Sequence, residues 1–248
     1  MSGAGAPGSV PELSIVMPGH DEGDHIVPVL RALSGALRTP HEVLVVVDVD
    51  DDPTVAAVRL LAAELPHVRL VRNDHGGGVL GAVMAGMAAS RGEYVLVSRA
   101  DGTNDLAIVE SMVRLAHLGA DVVVASRYVQ GGRHIGGPLL ERALTLLAGL
   151  TFHSFAGVPV HDPTNTFKLY SREFLGSIVI ESATEFELPT ELTVKAALGG
   201  RMIAEVPTTS CERPDGEGRM RVRDWLPRYV RWCVLAFRGP ARPRSSAP

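Results

Sequence analysis

The chain has 248 residues, of which 46% are hydrophobic and 21% are charged, so it is long and apolar enough to bury a substantial core. Its formal net charge of -4 argues against general nucleic-acid binding, and we expect no nucleic-acid partner. Its two cysteines, Cys211 and Cys233, are too few for a disulfide framework or a cysteine zinc cluster, and they fit a reducing cytoplasm.

Residues 1–12 lack a charged stretch followed by an apolar run, so they predict a disordered lead rather than a signal peptide. Nowhere does an uninterrupted apolar run reach the roughly 20 residues that a bilayer-spanning helix needs. The sequence therefore predicts a cytoplasmic protein that is soluble or lies peripherally on the inner face of the membrane.

The first half of the chain alternates regularly between strand and helix patterns. Short apolar runs predict buried strands, and apolar residues at intervals of three and four predict helices between them. The predicted strands are residues 13–18, 42–48, 68–73, 93–98 and 121–128, and the predicted helices are residues 24–37, 55–65, 81–90 and 106–118. Such alternation is typical of an α/β domain with a mostly parallel, Rossmann-like sheet that helices cover on both faces.

The second half is less regular, but it shows no internal repeat and no convincing linker. Its predicted elements are one or two amphipathic helices at 138–155, a turn with a short strand and the start of a helix at 158–175, a helix at 187–198 and a strand at 201–207. We therefore predict one domain over residues 13–217, followed by a basic, aromatic segment over residues 218–248 whose end is disordered.

Four polar motifs follow directly after predicted strands. They are PGHDE, DVDDDPT, RADGTND and SRYVQGG. In a parallel sheet the ligand binds beyond the carboxyl ends of the strands, so this coincidence predicts an active site at that edge.

The carboxylates in these motifs allow two interpretations. Asp48 ends its strand and can accept hydrogen bonds from a nucleoside or ligate a hard cation, whereas residues 50–52 fit a solvated turn with a helix cap equally well. Asp101 is the stronger candidate for a ligand of Mg²⁺ or Mn²⁺, and Asp105 better suits capping of the next helix.

A glycine-dense run and three arginines are candidate phosphate contacts. The run NDHGGGVLGAVMAGM permits close approach of the backbone to a diphosphate, although a tight turn with close helix packing explains it equally well. Arg127, Arg213 and Arg219 can clamp a phosphate through paired hydrogen bonds, or can simply be solvated at the surface.

The order of these motifs along the chain resembles one family. Pro18 and Glu22 match a strand that ends in Pro-Thr-Tyr-Asn-Glu, and Asp48 matches the first acid of an aspartate pair. The later motifs are the glycine-rich helix with its following strand, VASRYVQGG, HDPTNTFKLYSREFL and EVPTTSCERPDGEGR. From Leu13 to Trp232 the chain resembles the inverting nucleotide-sugar glycosyltransferases of family 2 with the A-type (GT-A) fold. Within that family it is most similar to the polyprenyl- and dolichyl-phosphate mannose or glucose synthases.

The resemblance implies a UDP-, GDP- or dTDP-linked sugar donor whose nucleoside is bound by Glu22 and Asp48. It implies Mg²⁺ or Mn²⁺ on Asp101 and Thr103. The full set of nucleotide-sugar-binding residues that it implies is Pro18, Glu22, Asp48, Gly81, Arg99, Ala100, Asp101, Arg213 and Arg219.

The implied reaction is an inverting displacement at the anomeric carbon of the sugar, during which negative charge builds on the departing diphosphate. A lipid-phosphate acceptor is already anionic and needs only an arginine to position it, for which Arg127 is the candidate. A hydroxyl acceptor needs a carboxylate base, and Asp162, Glu187 and Glu191 are all open for that role. The catalytic residues expected on these grounds are Asp101, Arg127, Asp162 and Glu191.

One departure from the family falls on the expected metal motif. The family has Asp-Ala-Asp where this chain has Arg99, Ala100 and Asp101. Arg99 either supplies positive charge to the diphosphate in part of the metal's place, or turns away and leaves Asp101 to ligate. The same change keeps two other functions open, a soluble transferase acting on a small-molecule hydroxyl and a non-catalytic nucleotide-sugar binder.

The C-terminal segment carries Trp225, Tyr229, Trp232 and Phe237 among arginines. This pattern fits an interfacial helix on anionic lipid, and it fits a packed helix with a solvated basic face equally well. Contact with a membrane surface is therefore an expectation tied to a polyprenyl-phosphate acceptor, with the packed helix as the alternative.

Overall fold

The computed structural model describes residues 10–136, 139–211 and 222–238, which form nine strands and eight α-helices. The strands are β1 (Leu13–Pro18), β2 (His41–Val47), β3 (Val68–Arg72), β4 (Tyr94–Val97), β5 (Val122–Ser126), β6 (Arg133–Ile135), β7 (Lys168–Ser171), β8 (Ile203–Pro207) and β9 (Thr209–Cys211). The helices are α1 (Ile26–Ala36), α2 (Pro53–Ala62), α3 (Val79–Ala89), α4 (Val109–His117), α5 (Leu139–Leu150), α6 (Arg172–Gly176), α7 (Leu188–Leu198) and α8 (Val222–Arg238). Single 3₁₀ turns precede α1 and α4, and a π-helical turn (Thr151–Phe155) follows α5.

Seven of the described strands form one sheet in the order β3-β2-β1-β4-β7-β5-β8. Neighbouring strands are parallel except where β7 pairs with β4 and with β5, and these two pairs are antiparallel. The short strands β6 and β9 pair separately and parallel to each other. The predicted class, a single α/β domain with a mostly parallel sheet flanked by helices, is confirmed.

Helices cover both faces of the sheet. Successive strand residues face opposite sides, and the apolar residues on each side pack against helices. In β1, Ile15 belongs to a core with Leu30 of α1 and Met112 of α4, and its neighbour Val16 packs with the small residues Ala82 and Ala85 of α3. Burial on both faces explains why these strands are continuous apolar runs in the sequence.

The structure has features that the apolar pattern did not predict. β7 runs against its neighbours, and its direction is invisible to periodicity because a buried strand has the same pattern in either sense. β7 passes directly into the short helix α6, where the Ser171 hydroxyl accepts a hydrogen bond from the Phe174 amide at 3.1 Å. β6 and β9 have three residues each, which is too short for an apolar run to mark them.

The C-terminal helix α8 packs on the domain through Trp232, which is 1% exposed. The indole nitrogen of Trp232 donates to the Glu187 carboxylate at 2.9 Å, and Arg228 pairs with the same carboxylate at 3.1 Å. Tyr229 meets Phe152 edge to face, with ring centroids 5.3 Å apart. These contacts hold α8 against the start of α7 and against the π-helical turn, so this part of the C-terminal segment is a packed helix.

None of the helices in the described ranges is long and apolar enough to cross a bilayer. Residues 1–9, 212–221 and 239–248 lie outside the described residues. They include most of the predicted N-terminal lead and the predicted disordered end, which therefore stay predictions.

We expect Trp232→Ala to destabilise the protein by about 3–5 kcal/mol, because it empties a buried aromatic site and removes the hydrogen bond to Glu187. The matched control is Phe237→Ala on the same helix, since the Phe237 side chain is 53% exposed. The control should cost about 0.5 kcal/mol or less. Urea denaturation followed by circular dichroism measures both, and equal costs would contradict the packing of α8.

Candidate active site at the carboxyl ends of the strands

The carboxyl ends of β2, β1 and β4 lie side by side at one edge of the sheet. Main-chain hydrogen bonds continue the pairing past the strands, from Gly19 N to Val46 O at 2.8 Å and from Ser98 N to Val16 O at 2.9 Å. The antiparallel β7 enters at the same edge, so the residues before Lys168 meet those after β5. The predicted site residues that this edge collects are Pro18, Glu22, Asp48, Arg99, Ala100, Asp101, Thr103, Arg127 and Asp162.

Asp48, the residue after β2, fixes the glycine-rich loop that leads into α3. Its carboxylate accepts hydrogen bonds from Asn73 Nδ2 at 2.6 Å and from Gly78 N at 2.7 Å. Gly78 has a φ of 89°, a left-handed conformation that favours glycine. A Cβ on Gly81 would lie 1.7 Å from the Gly76 carbonyl oxygen, so the predicted residue Gly81 permits close packing of α3 on this loop.

The loop after β1, which carries Glu22, is locked to the start of α2. Asp52 caps α2 by accepting from Thr54 N at 2.8 Å, and it also accepts from Asp21 N at 3.1 Å. The Thr54 hydroxyl accepts from Glu22 N at 3.0 Å. Burial raises the pKa of Asp52, but these hydrogen bonds outweigh it and leave the pKa below its ordinary value. Asp52 is therefore a helix cap that also holds Asp21, while Thr54 holds Glu22 at the edge.

Arg99 and Asp101 form an ion pair at the end of β4. Arg99 Nη2 lies 2.5 Å from Asp101 Oδ2, and the side chains are 56% and 10% exposed respectively. The other carboxylate oxygen, Oδ1, accepts from Thr103 N at 3.0 Å and from Thr103 Oγ1 at 2.6 Å. Burial raises the pKa of Asp101, but the bonds from Thr103 and the charge of Arg99 outweigh it. The pKa of Asp101 therefore lies below its ordinary value, and the carboxylate is charged at neutral pH.

This arrangement around Asp101 does not fit a divalent cation. Mg²⁺ needs oxygen ligands at about 2.0–2.1 Å in octahedral geometry, but one Asp101 oxygen faces a guanidinium and the other accepts from Thr103. A divalent charge about 4 Å from the guanidinium would be opposed by roughly 8 kcal/mol at an effective dielectric constant of about 20, and by less where solvent screens the exposed Arg99. Across the described residues, His, Cys, Asp and Glu side chains form no group of three or more able to hold a metal.

Arg127 and Asp162 form a buried pair where β5 ends. Asp162 Oδ2 accepts from Arg127 N at 3.0 Å and from Nε at 2.7 Å, and Oδ1 accepts from Nη2 at 2.8 Å. The Thr164 hydroxyl accepts a further bond from Nη2 at 3.2 Å. Burial raises the pKa of Asp162, but the hydrogen bonds and charge of Arg127 outweigh it and lower the pKa. Asp162 therefore holds a guanidinium in place and is a poor proton acceptor.

Sequence reasoning missed the groups that support this pair. Glu205 of β8 accepts from His161 N at 2.9 Å and from Asp162 N at 3.3 Å, which fixes the loop on which Asp162 lies. Lys168 of β7 is 0% exposed and donates to Pro163 O at 2.6 Å and to two acceptors on α7. Burial lowers the pKa of Lys168 to about 7, although the charges of Asp162 and Glu205 oppose the shift. A charged residue inside an apolar run was the signal in the sequence for both groups.

Glu187 and Glu191 are engaged around α7. The Glu191 carboxylate accepts from Glu181 N at 2.7 Å and from the Ser182 hydroxyl, and it pairs with Lys195 at 2.6 Å. Burial raises the pKa of Glu187, but the hydrogen bonds that tie it to α8 and to the preceding turn outweigh it and lower the pKa. The contacts of Glu191 are thus with the segment before α7 and within α7, rather than with the strand-end residues.

Two predicted residues, Arg213 and Arg219, fall in a stretch outside the described residues. Their roles as diphosphate ligands stay predictions. So do the roles of the other predicted site residues, whose positions and contacts the structure gives.

The fold is that of the A-type glycosyltransferases, as the sequence resemblance implied. The chain belongs to glycosyl transferase family 2, which it matches over residues 14–179. It is therefore a glycosyltransferase, and the predicted family and enzyme class are confirmed.

Two relatives cover most of the chain. It is 28% identical over 229 residues to the polyprenol monophosphomannose synthase of Mycolicibacterium smegmatis, over 89% of this chain and 86% of that protein. It is 29% identical over 231 residues to the undecaprenyl-phosphate mannosyltransferase of Micrococcus luteus, over 89% of this chain and 93% of that protein. Among solved structures, glucosyl-3-phosphoglycerate synthase of Mycobacterium tuberculosis with Mn²⁺, UDP and phosphoglyceric acid has the same fold. Its TM-score is 0.66 at 19% identity, over 90% of this chain and 78% of that one.

We expect Asp162→Asn to destabilise the protein by about 3–5 kcal/mol, because it leaves the buried Arg127 guanidinium without its carboxylate. The matched control is Asp50→Asn, which removes the partner of Arg72, 2.9 Å away, from an exposed pair. The control should cost about 1 kcal/mol or less. Chemical denaturation at neutral pH measures both.

The cost of Asp162→Asn should depend on pH in one direction. Because the folded pKa of Asp162 lies below its unfolded value of about 3.9, the pair stabilises the protein above that value and loses its effect as the pH falls through the folded pKa. The gap in stability between wild type and variant should therefore close in acid. A gap that is small at neutral pH, or constant in acid, would contradict the assignment.

Proposed function

We propose that the protein is an inverting glycosyltransferase that moves a sugar from a nucleoside diphosphate sugar to a polyprenyl phosphate at a membrane surface. The observation that carries the choice of acceptor is that the chain's own donors occupy the three carboxylates that the sequence offers as bases. Asp162 is held by Arg127, Glu187 by α8 and Glu191 by Lys195. A hydroxyl acceptor needs such a base, and a phosphate acceptor does not.

The two relatives support the same acceptor class. One is a polyprenol monophosphomannose synthase and the other an undecaprenyl-phosphate mannosyltransferase. The match extends over most of both proteins. The hydroxyl-acceptor alternative has the weaker support, because the neighbour that binds phosphoglyceric acid is related by fold alone.

The strand-end residues suit a nucleoside diphosphate donor. Glu22 and Asp48 follow the adjacent strands β1 and β2, and Arg99 follows β4 on the other side of β1. This order fits a nucleoside beside β1 and β2 and a diphosphate beside β4. The UDP bound by the structural neighbour supports a donor of this class, with GDP- and dTDP-linked sugars as the other candidates.

In the proposed reaction, an oxygen of the acceptor phosphate attacks the anomeric carbon of the sugar. The bond from that carbon to the diphosphate breaks, and its electron pair leaves on the nucleoside diphosphate. Attack opposite the leaving group inverts the anomeric configuration, and no proton is removed because a phosphate monoester is anionic at neutral pH. Arg127, which Asp162 holds in one orientation, is the guanidinium suited to positioning the acceptor phosphate.

Mg²⁺ or Mn²⁺ is the cofactor that the sequence predicts for the donor diphosphate. The Mn²⁺ found with UDP in the structural neighbour supports a divalent cation in this fold. The arrangement around Asp101 does not fit one, because Arg99 and Thr103 engage both carboxylate oxygens. No step of the proposed reaction is therefore assigned to a metal.

The exposed side of α8 supports contact with a membrane. Val230, Val234 and Phe237 are 49%, 40% and 53% exposed, and their spacing places them together on a different side from the buried Trp232. Arg231 on the same helix is half exposed and pairs with Glu181. Apolar side chains next to an arginine suit an interfacial helix on anionic lipid, where a lipid-phosphate acceptor is met.

We expect transfer of sugar to polyprenyl phosphate and none to the matching polyprenol, because only the phosphate is an anionic nucleophile without a base. The assay offers UDP-, GDP- and dTDP-linked mannose and glucose with each lipid, and chromatography separates the glycolipid product. Nuclear magnetic resonance of the product should show the anomeric configuration opposite to that of the donor.

Transfer to polyprenol or to a small-molecule hydroxyl, with none to the phosphate, would contradict the proposed acceptor. A product that keeps the donor's configuration would contradict the inverting displacement. Donor binding without transfer to any of these acceptors would contradict the proposed reaction.

We expect Val234→Glu and Phe237→Glu each to weaken binding to vesicles that contain anionic lipid, because a negative charge replaces an apolar contact. The matched control is Leu60→Glu on α2, whose side chain is 78% exposed and which should bind as wild type does. Vesicle sedimentation measures all four proteins. Equal sedimentation would exclude this side of α8 as the membrane contact.

A further inference from the structure

The end of β4 holds an exposed cation on an anchored stretch of backbone. Ser98 and Ala100, the neighbours of Arg99, are 2% and 3% exposed, and the Ser98 amide bonds to β1. The Asn104 side chain donates to the Ser98 hydroxyl at 3.1 Å, which ties the loop back on itself. The Arg99 side chain is 56% exposed on this fixed support.

Asp101 orients the Arg99 guanidinium and is itself fixed. One carboxylate oxygen lies 2.5 Å from Arg99 Nη2, and the other is held by the amide and hydroxyl of Thr103. A guanidinium is charged at any physiological pH, and its five N–H donors form a planar fork that matches phosphate oxygens. Because the side chain is already held, little rotamer freedom is lost when an anion binds.

No other arginine or lysine follows the three adjacent strands at the centre of the edge. Residues 19–25, 48–52 and 98–105 contain Arg99 alone of these residue types. Arg72, the last residue of β3, pairs with Asp50, and Arg127, after β5, pairs with Asp162 and is only 10% exposed. A diphosphate beside β4 would therefore meet Arg99 as its nearest oriented cation in the described part of the edge.

We propose that Arg99, positioned by Asp101, binds the donor diphosphate and stabilises the charge that builds on it, so that the protein transfers sugar without a divalent cation. When the bond between the anomeric carbon and the diphosphate oxygen breaks, both electrons stay on that oxygen, and Arg99 is the group that meets the added charge. Arg99 is a catalytic residue in this scheme, and Asp101 is a positioning residue. The inference rests on the proposed use of a nucleoside diphosphate sugar.

The first test is titration calorimetry of the full chain with UDP, GDP and dTDP, in EDTA and in Mn²⁺. Wild type should bind its preferred nucleoside diphosphate with the same Kd in both conditions. Arg99→Ala should weaken binding by about ten- to a hundredfold, as expected for loss of a charge-assisted contact, and Mn²⁺ should not restore it.

The second test converts the site. Arg99→Asp provides a second acid beside Asp101, and we expect it to bind Mn²⁺ by electron paramagnetic resonance and to bind nucleoside diphosphate only when Mn²⁺ is present. The matched control is Arg31→Asp, which makes the same charge change at a side chain that is 57% exposed and paired with Glu64 at 2.9 Å. The control should neither bind Mn²⁺ nor change the Kd.

Positioning by Asp101 has its own measurement. Asp101→Asn should raise the donor KM and lower kcat, in EDTA and in Mn²⁺ alike, because Arg99 stays present but loses the orientation in which it binds the diphosphate and meets the added charge. A carboxylate that only stabilised the fold would leave both constants of the folded enzyme unchanged, and thermal unfolding of the variant reports on the fold separately.

Two results would overturn the inference and leave the proposed function standing. One is binding of nucleoside diphosphate by wild type only when Mn²⁺ or Mg²⁺ is present, and the other is an unchanged Kd in Arg99→Ala. Absence of binding by wild type in every condition would instead overturn the proposed donor, and the inference with it. Since Arg99 is exposed, its variants should fold, and Arg99→Gln, which also removes the charge, serves in place of Arg99→Ala if circular dichroism shows that variant to be unfolded.

Discussion

Backbone hydrogen bonds hold β1 between β2 and β4, and the positions of the candidate donor-binding groups follow from this pairing. The bonds continue one residue past the strands, so the loops that carry Glu22, Asp48 and Arg99 start from one line of paired backbone. A site built on paired strand ends keeps its geometry better than one built on long loops. The antiparallel β7 extends this line, because its entry brings Asp162 to the end of β5 beside Arg127.

The carboxylates at this edge mostly accept hydrogen bonds from, or pair with, other groups of the same chain. Asp48 accepts hydrogen bonds that close the glycine-rich loop, and Asp101 and Asp162 each hold an arginine. At an edge that is acidic in sequence, Asp101 and Asp162 therefore orient one guanidinium group each. They differ in exposure, since the Arg127 side chain is 10% exposed and that of Arg99 is 56% exposed. The exposed group suits a ligand that arrives from solvent, such as a nucleotide, and the buried group suits a phosphate that must reach deeper into the edge.

Much of the fold could be predicted from the sequence, because buried parallel strands are continuous apolar runs and the helices between them have their own period. The strand-end positions of Asp48 and Asp101 followed from the same pattern. The direction of β7 did not, since a buried run is alike in both senses. The partners of the acidic residues could not be predicted either. Asp162 meets Arg127 across 35 positions of the chain. The spacing of residues 99 and 101 does not decide whether the acid faces an arginine or a metal.

A single exposed position sets the charge balance of the proposed diphosphate site. Two carboxylates and one divalent cation sum to zero formal charge, and so do the arginine and the aspartate at positions 99 and 101. The substitution therefore leaves the net charge at the end of β4 the same, while a cation supplied by the chain stands in place of one that must be bound from solution. More than half of the Arg99 side chain is exposed, and its backbone is anchored through Ser98, so the side chain lies at the surface of the sheet edge rather than in the core. In the proposed scheme, dependence on a metal is thus a property of one side chain rather than of the fold.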